Sequence, residues 1–181
     1  EAAKKGHTKS MYKFSILMRD KTGNLFESDD NEATIFWRKS ALKGYFDAID
    51  EYASRFMLLY QKTKFDIEES IRLLKMSCDK GNIDSILLYG IFLNKGEFVP
   101  KNQKEAAKYI KIAAHNGNVE SLAYYGKILQ NGQGVPIDKE KAIEYYKKGI
   151  EKGNITAINL YGISLLNGDG VPVDKKEAIK Y

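Results

Sequence analysis

The stretch "NGQGVP" at 131–136 sets Gly132 and Gly134 one residue apart, the kind of loop whose backbone N–H groups can cradle a phosphate. Such a loop follows a strand and carries a third glycine, or runs on into Gly-Lys-Ser/Thr. Here a helix-compatible stretch precedes it, Ile137 fills the third glycine's place, and no such continuation follows. The loop reads as a turn. Cys78 occupies a small or apolar slot shared with Ala41, Ala114 and Ile150, so it reads as a buried structural thiol, not a nucleophile. His7 and His115 fall in different registers with no cysteine or carboxylate at metal-ligand spacing. The acidic run "ESDDNEA" (27–33) lacks the glycine and closing glutamate of a calcium loop and reads as a charged helix start. Asn154-Ile155-Thr156 has the form of a glycosylation sequon, but the asparagine is explained as a helix cap. No Ser/His/Asp or Cys/His set and no carboxylate pair emerges. The expectation is a non-enzymatic chain without metal or cofactor.

The elements that position these residues must then carry the function. The chain has 181 residues, 43% hydrophobic and 29% charged, a balance typical of folded domains. Its longest apolar stretch, "SILLYGIFL" at 85–93, is far short of a membrane span, and one cysteine permits no internal disulfide. A cytoplasmic protein is expected, unless a secretory signal preceded residue 1. The net charge of +5 invites a nucleic-acid reading. Against it, only four of the 29 basic residues are arginines, and the lysines are interspersed with 24 acids, as on solvated helix faces.

The glycine loop is one copy of a period. "YGIFLNKGEFVPKNQKEAAKY" (89–109), "YGKILQNGQGVPIDKEKAIEY" (125–145) and "YGISLLNGDGVPVDKKEAIKY" (161–181) align at 36-residue spacing without gaps. Tyrosine recurs at 89/125/161 and 109/145/181, and glycine at 90/126/162 and 96/132/168. Leu93/129/165, Val99/135/171, Pro100/136/172 and Ala106/142/178 complete the identities. More worn copies precede them: "FWRKSALKGYFDAIDEYA" (36–53) matches 145–162, and "SMYKFSILM" (10–18) matches 121–129. The array is divided into the end of a preceding repeat (1–9), repeats at 10–47, 48–84, 85–120 and 121–156, and a partial fifth at 157–181.

Each unit reads as two helices. Asn118 or Asn154 caps the first, Ser121, Tyr125 and Leu129 mark its apolar face, and Gly132 ends it in a left-handed conformation. Pro136 forbids continuation. Asp66-x-x-Glu69, Asn102-x-x-Glu105 and Asp174-x-x-Glu177 start second helices as capping boxes, and Gly81, Gly117 and Gly153 end them. The mid-helix glycines 90, 126 and 162 each cost about 1 kcal/mol of propensity, which predicts a close helix approach there, with the alanines 106, 142 and 178 as small contacts.

This 36-residue pattern resembles the Sel-one-like repeat, a subgroup of the tetratricopeptide-like solenoids, over essentially the whole chain. It departs from the pattern at Ser15 and Ala53, which replace the glycine of the Tyr-Gly pair. The resemblance implies an all-α, right-handed α/α superhelical solenoid of antiparallel helix pairs, acting as an adaptor for a protein or peptide. The alternative is a regulatory or spacer region of a larger signalling protein, such as one with a kinase domain.

First helices of such stacks line the concave wall. Projecting outward from Tyr125, Gly126 and Leu129, the expected partner-binding positions are Ala123, Lys127, Gln130 and Asn131. Their equivalents are Tyr12, Ile16 and Arg19; Asp50, Ser54 and Met57; Leu87, Ile91 and Asn94; and Asn159, Ile163 and Leu166. Both ends cut through a second helix, so a fragment of a longer array is expected. Leu165, Ala178 and Ile179 should then be exposed at its C-terminal surface, inviting end-to-end self-association.

Overall fold

A computed structural model describes residues 2–3, 6–22, 32–49 and 67–181. Among the described residues the elements are α1 (Thr8–Thr22), α2 (Glu32–Leu42), α3 (Ile67–Asp79), α4 (Ile83–Lys95) and α5 (Gln103–His115). They continue with α6 (Val119–Asn131), α7 (Lys139–Glu151), α8 (Ile155–Asn167) and the short α9 (Lys175–Ala178). These residues contain no strand. Two compact units form, Glu1–Ser85 and Ile86–Tyr181.

In the second unit the pairs α4/α5, α6/α7 and α8/α9 repeat one local design. The Asn118 Oδ1 accepts the Ser121 N–H at 2.8 Å, and the Asn154 Oδ1 accepts the Ala157 N–H at 2.7 Å, so each asparagine starts its first helix as expected. Gly132 and Gly168 end those helices in the left-handed region, at φ 66° and 75°. Asn102, Asp138 and Asp174 cap the second helices through the N–H groups of Glu105, Lys141 and Glu177.

The capping boxes form only by half. The backbone N–H that the box glutamate would take is already used: Asn102 N donates to Leu93 O and Asp174 N to Leu165 O, and the same bond runs from Asp138 N to Leu129 O where Lys141 stands in the glutamate's place, each at 2.9 Å. The loop's end is thereby tied to the first helix, which releases the glutamates. Glu105 instead accepts from Asn102 Nδ2 at 3.0 Å. Glu69 holds Arg38 with two hydrogen bonds of 2.7 and 2.9 Å, while its expected cap, Asp66, lies outside the described residues.

Recurrent identities meet inside each pair. Tyr89–Tyr109, Tyr125–Tyr145 and Tyr161–Tyr181 stack edge to face with centroids 5.1, 4.8 and 5.0 Å apart. A Cβ on Gly126 would lie 2.5 Å from the Tyr146 ring and 3.2 Å from Ala142 O, and one on Gly90 would lie 2.7 Å from Ile110. The predicted close approach of the two helices is therefore real. The alanines 106 and 142 are fully buried beside it.

The first unit keeps the design in other residues. Phe14 and Phe36 stack edge to face at 5.0 Å, where the later pairs use tyrosines. Ser15, in the mid-helix glycine's register, is buried and bonds back to Tyr12 O at 2.7 Å. Trp37, Ala41, Ala48, Ile49 and Leu73 form this unit's core.

Candidate interaction surface

Small residues bring successive pairs together and so determine which helix faces remain open. Gly149 of α7 lies so near Ala157 of α8 that an added Cβ would come within 2.6 Å. The corresponding positions 77 and 85 are buried serines whose hydroxyls bond at 2.7 Å. Asn154 contributes twice: besides capping α8, its Nδ2 donates to Val119 O at 3.0 Å. That is the nitrogen a glycan would need, so the asparagine serves as cap and inter-helix tie.

A polar relay joins the first helices. Tyr146 donates to Gln130 Oε1 at 2.8 Å, and Gln130 Nε2 donates to Ser164 Oγ at 3.4 Å. Ser164 Oγ in turn donates to Leu160 O at 2.9 Å. Burial, then the charge of Asp169, holds the Tyr146 phenol above its ordinary pKa, so it remains a neutral donor. In α4, Asn94 Nδ2 reaches Gln133 Oε1, on the loop after α6, at 3.4 Å.

These contacts divide the expected partner-binding positions into two rows. One row packs instead of opening. Leu87 and Ala123 are only 8% and 1% exposed, so the expectation that they face outward fails. Asn94 and Gln130 are half-buried and engaged in the bonds above. Their equivalents on α8, Asn159 and Leu166, are exposed, because no further helix pair lies against α8. This row faces the next unit, since α6 and α8 touch along it.

The second row is the open one. Lys127, Asn131 and Ile163 are exposed and Ile91 is half-buried. Projection from the repeat core missed its other members. Tyr124 is 42% exposed, and its equivalents Leu88 and Leu160 are half-buried. The signal was present, because Glu120, Tyr124, Lys127 and Asn131 recur at i, i+4, i+7 and i+11, one helical stripe. In the first unit Tyr12 and Ile16 are half-buried, with the Tyr12 ring 5.4 Å from that of Tyr45. Arg19 lies on α1, while Asp50, Ser54 and Met57 lie outside the described residues.

The C-terminal face also differs from expectation. Leu165 and Ala178 are buried within their own pair, whereas Ile155, Leu166 and Ile179 are 73%, 48% and 85% exposed. Leu165 is 5% exposed, as is its register partner Leu129.

Residues with chemical potential stay apart. Cys78 is half-buried, and desolvation, then the charge of Asp79, pushes its thiol up to about 12, which removes the thiolate a nucleophile needs. His7 bonds Ser10 Oγ at 2.9 Å and His115 bonds Lys111 O at 2.8 Å. The acidic run lies outside the described residues up to Asn31, and α2 starts at Glu32. Among the described residues, no three His, Cys, Asp or Glu side chains gather as metal ligands would. No described helix is long and apolar enough to cross a membrane.

Comparison with known proteins agrees with this architecture. The Sel1 repeat family model matches residues 22–45, 48–82, 83–118, 119–154 and 155–181. A Sel1 repeat protein from Oxalobacter formigenes is similar in structure with a TM-score of 0.80 at 21% identity, over 97% of this chain and 71% of that one. c5321, a protective antigen of uropathogenic Escherichia coli displaying an SLR fold, gives a TM-score of 0.81 at 24% identity, over 99% of this chain. This chain spans only 38% of its length. Helicobacter pylori cysteine rich protein B gives 0.53 at 20% identity, over 68% of this chain and 96% of that one. A search among curated proteins finds no significant match. These likenesses show the fold, an all-α solenoid of helix pairs.

Proposed function

The chain belongs to the Sel1 repeat family, and on that premise we propose that it is a non-enzymatic scaffold whose first helices capture a protein or peptide. Sel1 repeat proteins are generally protein-interaction scaffolds, which sets the class of activity. The observation that carries the reading is the open stripe on α4, α6 and α8. Tyr124 and Ile163 stand 42% and 49% exposed there, although aromatic and branched apolar side chains gain by being covered. Helix-pair scaffolds use such stripes for extended or helical segments. A single cysteine, which permits no internal disulfide, fits a reducing compartment, and the site of action proposed is cytoplasmic.

The paired change Tyr124→Glu with Ile163→Glu tests this reading. Both side chains are open, so helicity by circular dichroism should be unchanged while capture of a protein partner from cell extract falls at least tenfold. Undiminished capture would reject the stripe and favour an end of the stack, the convex helices, or a spacer role. Leu87 is unsuited to this test, because a charge at a buried position unfolds instead of blocking.

End-to-end association is a separate part of the proposal. Leu166 presents apolar area in the register that α8 itself covers on α6, and Ile155 and Ile179 are exposed as well. Sedimentation velocity at millimolar chain should show self-association that Leu166→Glu abolishes. A wild-type monomer at that concentration would reject it.

A further inference from the structure

The open stripe is apolar on both flanks and cationic in the middle. Leu88 and Ile91 on α4, Tyr124 on α6, and Leu160 and Ile163 on α8 share two neighbouring registers. Lys127 interrupts them at the centre, in the register of Ile91 and Ile163. Its side chain is exposed, and it makes no ion pair with any described residue. The other lysines nearest this design are engaged: Lys139 bonds Asp169 at 2.7 Å, Lys95 lies 3.6 Å from Glu97, and Lys147 lies 5.7 Å from the Tyr161 ring centre.

Packed helices lie about 8–10 Å apart, and a polyproline II segment advances about 3.1 Å per residue with three residues per turn, so every third side chain returns to the same face. A segment in that conformation laid across α4, α6 and α8 therefore turns a side chain toward a new helix about every third residue. From α4 to α8 the surface offers an apolar patch, a lone ammonium between apolar neighbours, and an apolar patch again. We propose, building on the capture role above, that this stripe selects a peptide segment in the polyproline II conformation with a carboxylate side chain at its centre and an apolar side chain three residues to either side. The carboxylate meets Lys127, and the flanking side chains cover Ile91 and Ile163. The apolar pair supplies the affinity, and the lysine sets register and rejects a basic residue at that place.

The probe is a fluorescein-labelled peptide of the pattern leucine, two serines, glutamate, two serines, leucine, read by fluorescence anisotropy at low salt. Two companions carry lysine or glutamine in place of the glutamate. The unaltered protein should bind the glutamate probe about two- to fivefold more tightly than the glutamine one, the range of a solvent-exposed ion pair. The lysine probe should bind more weakly still. Lys127→Glu should invert this order without changing the circular dichroism spectrum. Equal binding of all three probes, retention of the glutamate preference in Lys127→Glu, or binding of none would each overturn the proposal. Tyr124→Glu separates it from the broader reading. If the probes bind equally and Tyr124→Glu weakens all of them, the stripe is the capture surface and only the carboxylate rule falls. If the glutamate probe binds undiminished to Tyr124→Glu and Lys127→Glu, both fall.

Discussion

Replacing Gly126 by leucine should destabilise the protein by about 3 kcal/mol or more, the upper range for overpacking a close contact. The site has no slack. An added Cβ meets Tyr146 ring carbons at 2.5 and 2.8 Å and the Ala142 carbonyl at 3.2 Å. The ring can yield only by swinging away from Gln130, which would break the 2.8 Å bond from its buried hydroxyl and leave that group unpaired. The backbone carbonyl can yield only if α7 moves as a body. Lys139→Ala is the control. It removes an exposed ion pair with Asp169, worth about 0–1 kcal/mol. Urea unfolding of both variants measures the difference, and similar losses would mean that the packed face of α6 is wrongly assigned.

Gly134→Ala should cost about 3 kcal/mol or more, against about 1–2 kcal/mol for Gly153→Ala. Both glycines have left-handed backbones, φ 75° and 74°, so the conformational penalty for alanine is common to them. Their surroundings differ. The space around Gly153 is open, whereas a Cβ on Gly134 would lie 2.3 Å from the carbonyl carbon and oxygen of Gln103, at the start of α5. That neighbour is helical backbone, which cannot rotate aside as a side chain would. Gly170 is placed in the same way, 2.4 Å from Lys139 O at the start of α7. The second glycine of the loop thus seats the units at 121–156 and 157–181 on the second helix of the one before. Equal stability losses at positions 134 and 153 would refute this seating role.

The 36-residue period was legible without coordinates because its most demanding positions tolerate few residue types. A left-handed helix end selects glycine, a chain stop selects proline, and a close helix crossing selects glycine against alanine. Positions 90, 96, 100 and their equivalents record those constraints directly. The helix pairs, the Asn and Asp caps and the left-handed Gly132 followed from local chemistry. So did the reading of the Gly-x-Gly loop as a turn, because a phosphate loop needs neighbours that are missing here.

Tertiary structure decided everything that depends on what lies opposite a residue. The capping boxes at Asn102 and Asp174 matched in sequence, yet their N–H groups were taken by the Leu93 and Leu165 carbonyls. Phe98 holds a left-handed φ of 61° in the loop register of Gly134 and Gly170, with its ring 5.0 Å from that of Phe92, so loop closure imposes the shape even without glycine. Ala123 and Gln130 shared the outward reading of Lys127 because one helix shows where its own partner lies, not where the next pair will. Burial by a neighbour 36 residues away leaves no periodic mark within the helix it covers. The open stripe of Tyr124, Lys127 and Ile163 is therefore a property of the stack, and only the packed helices separate it from the seam beside it.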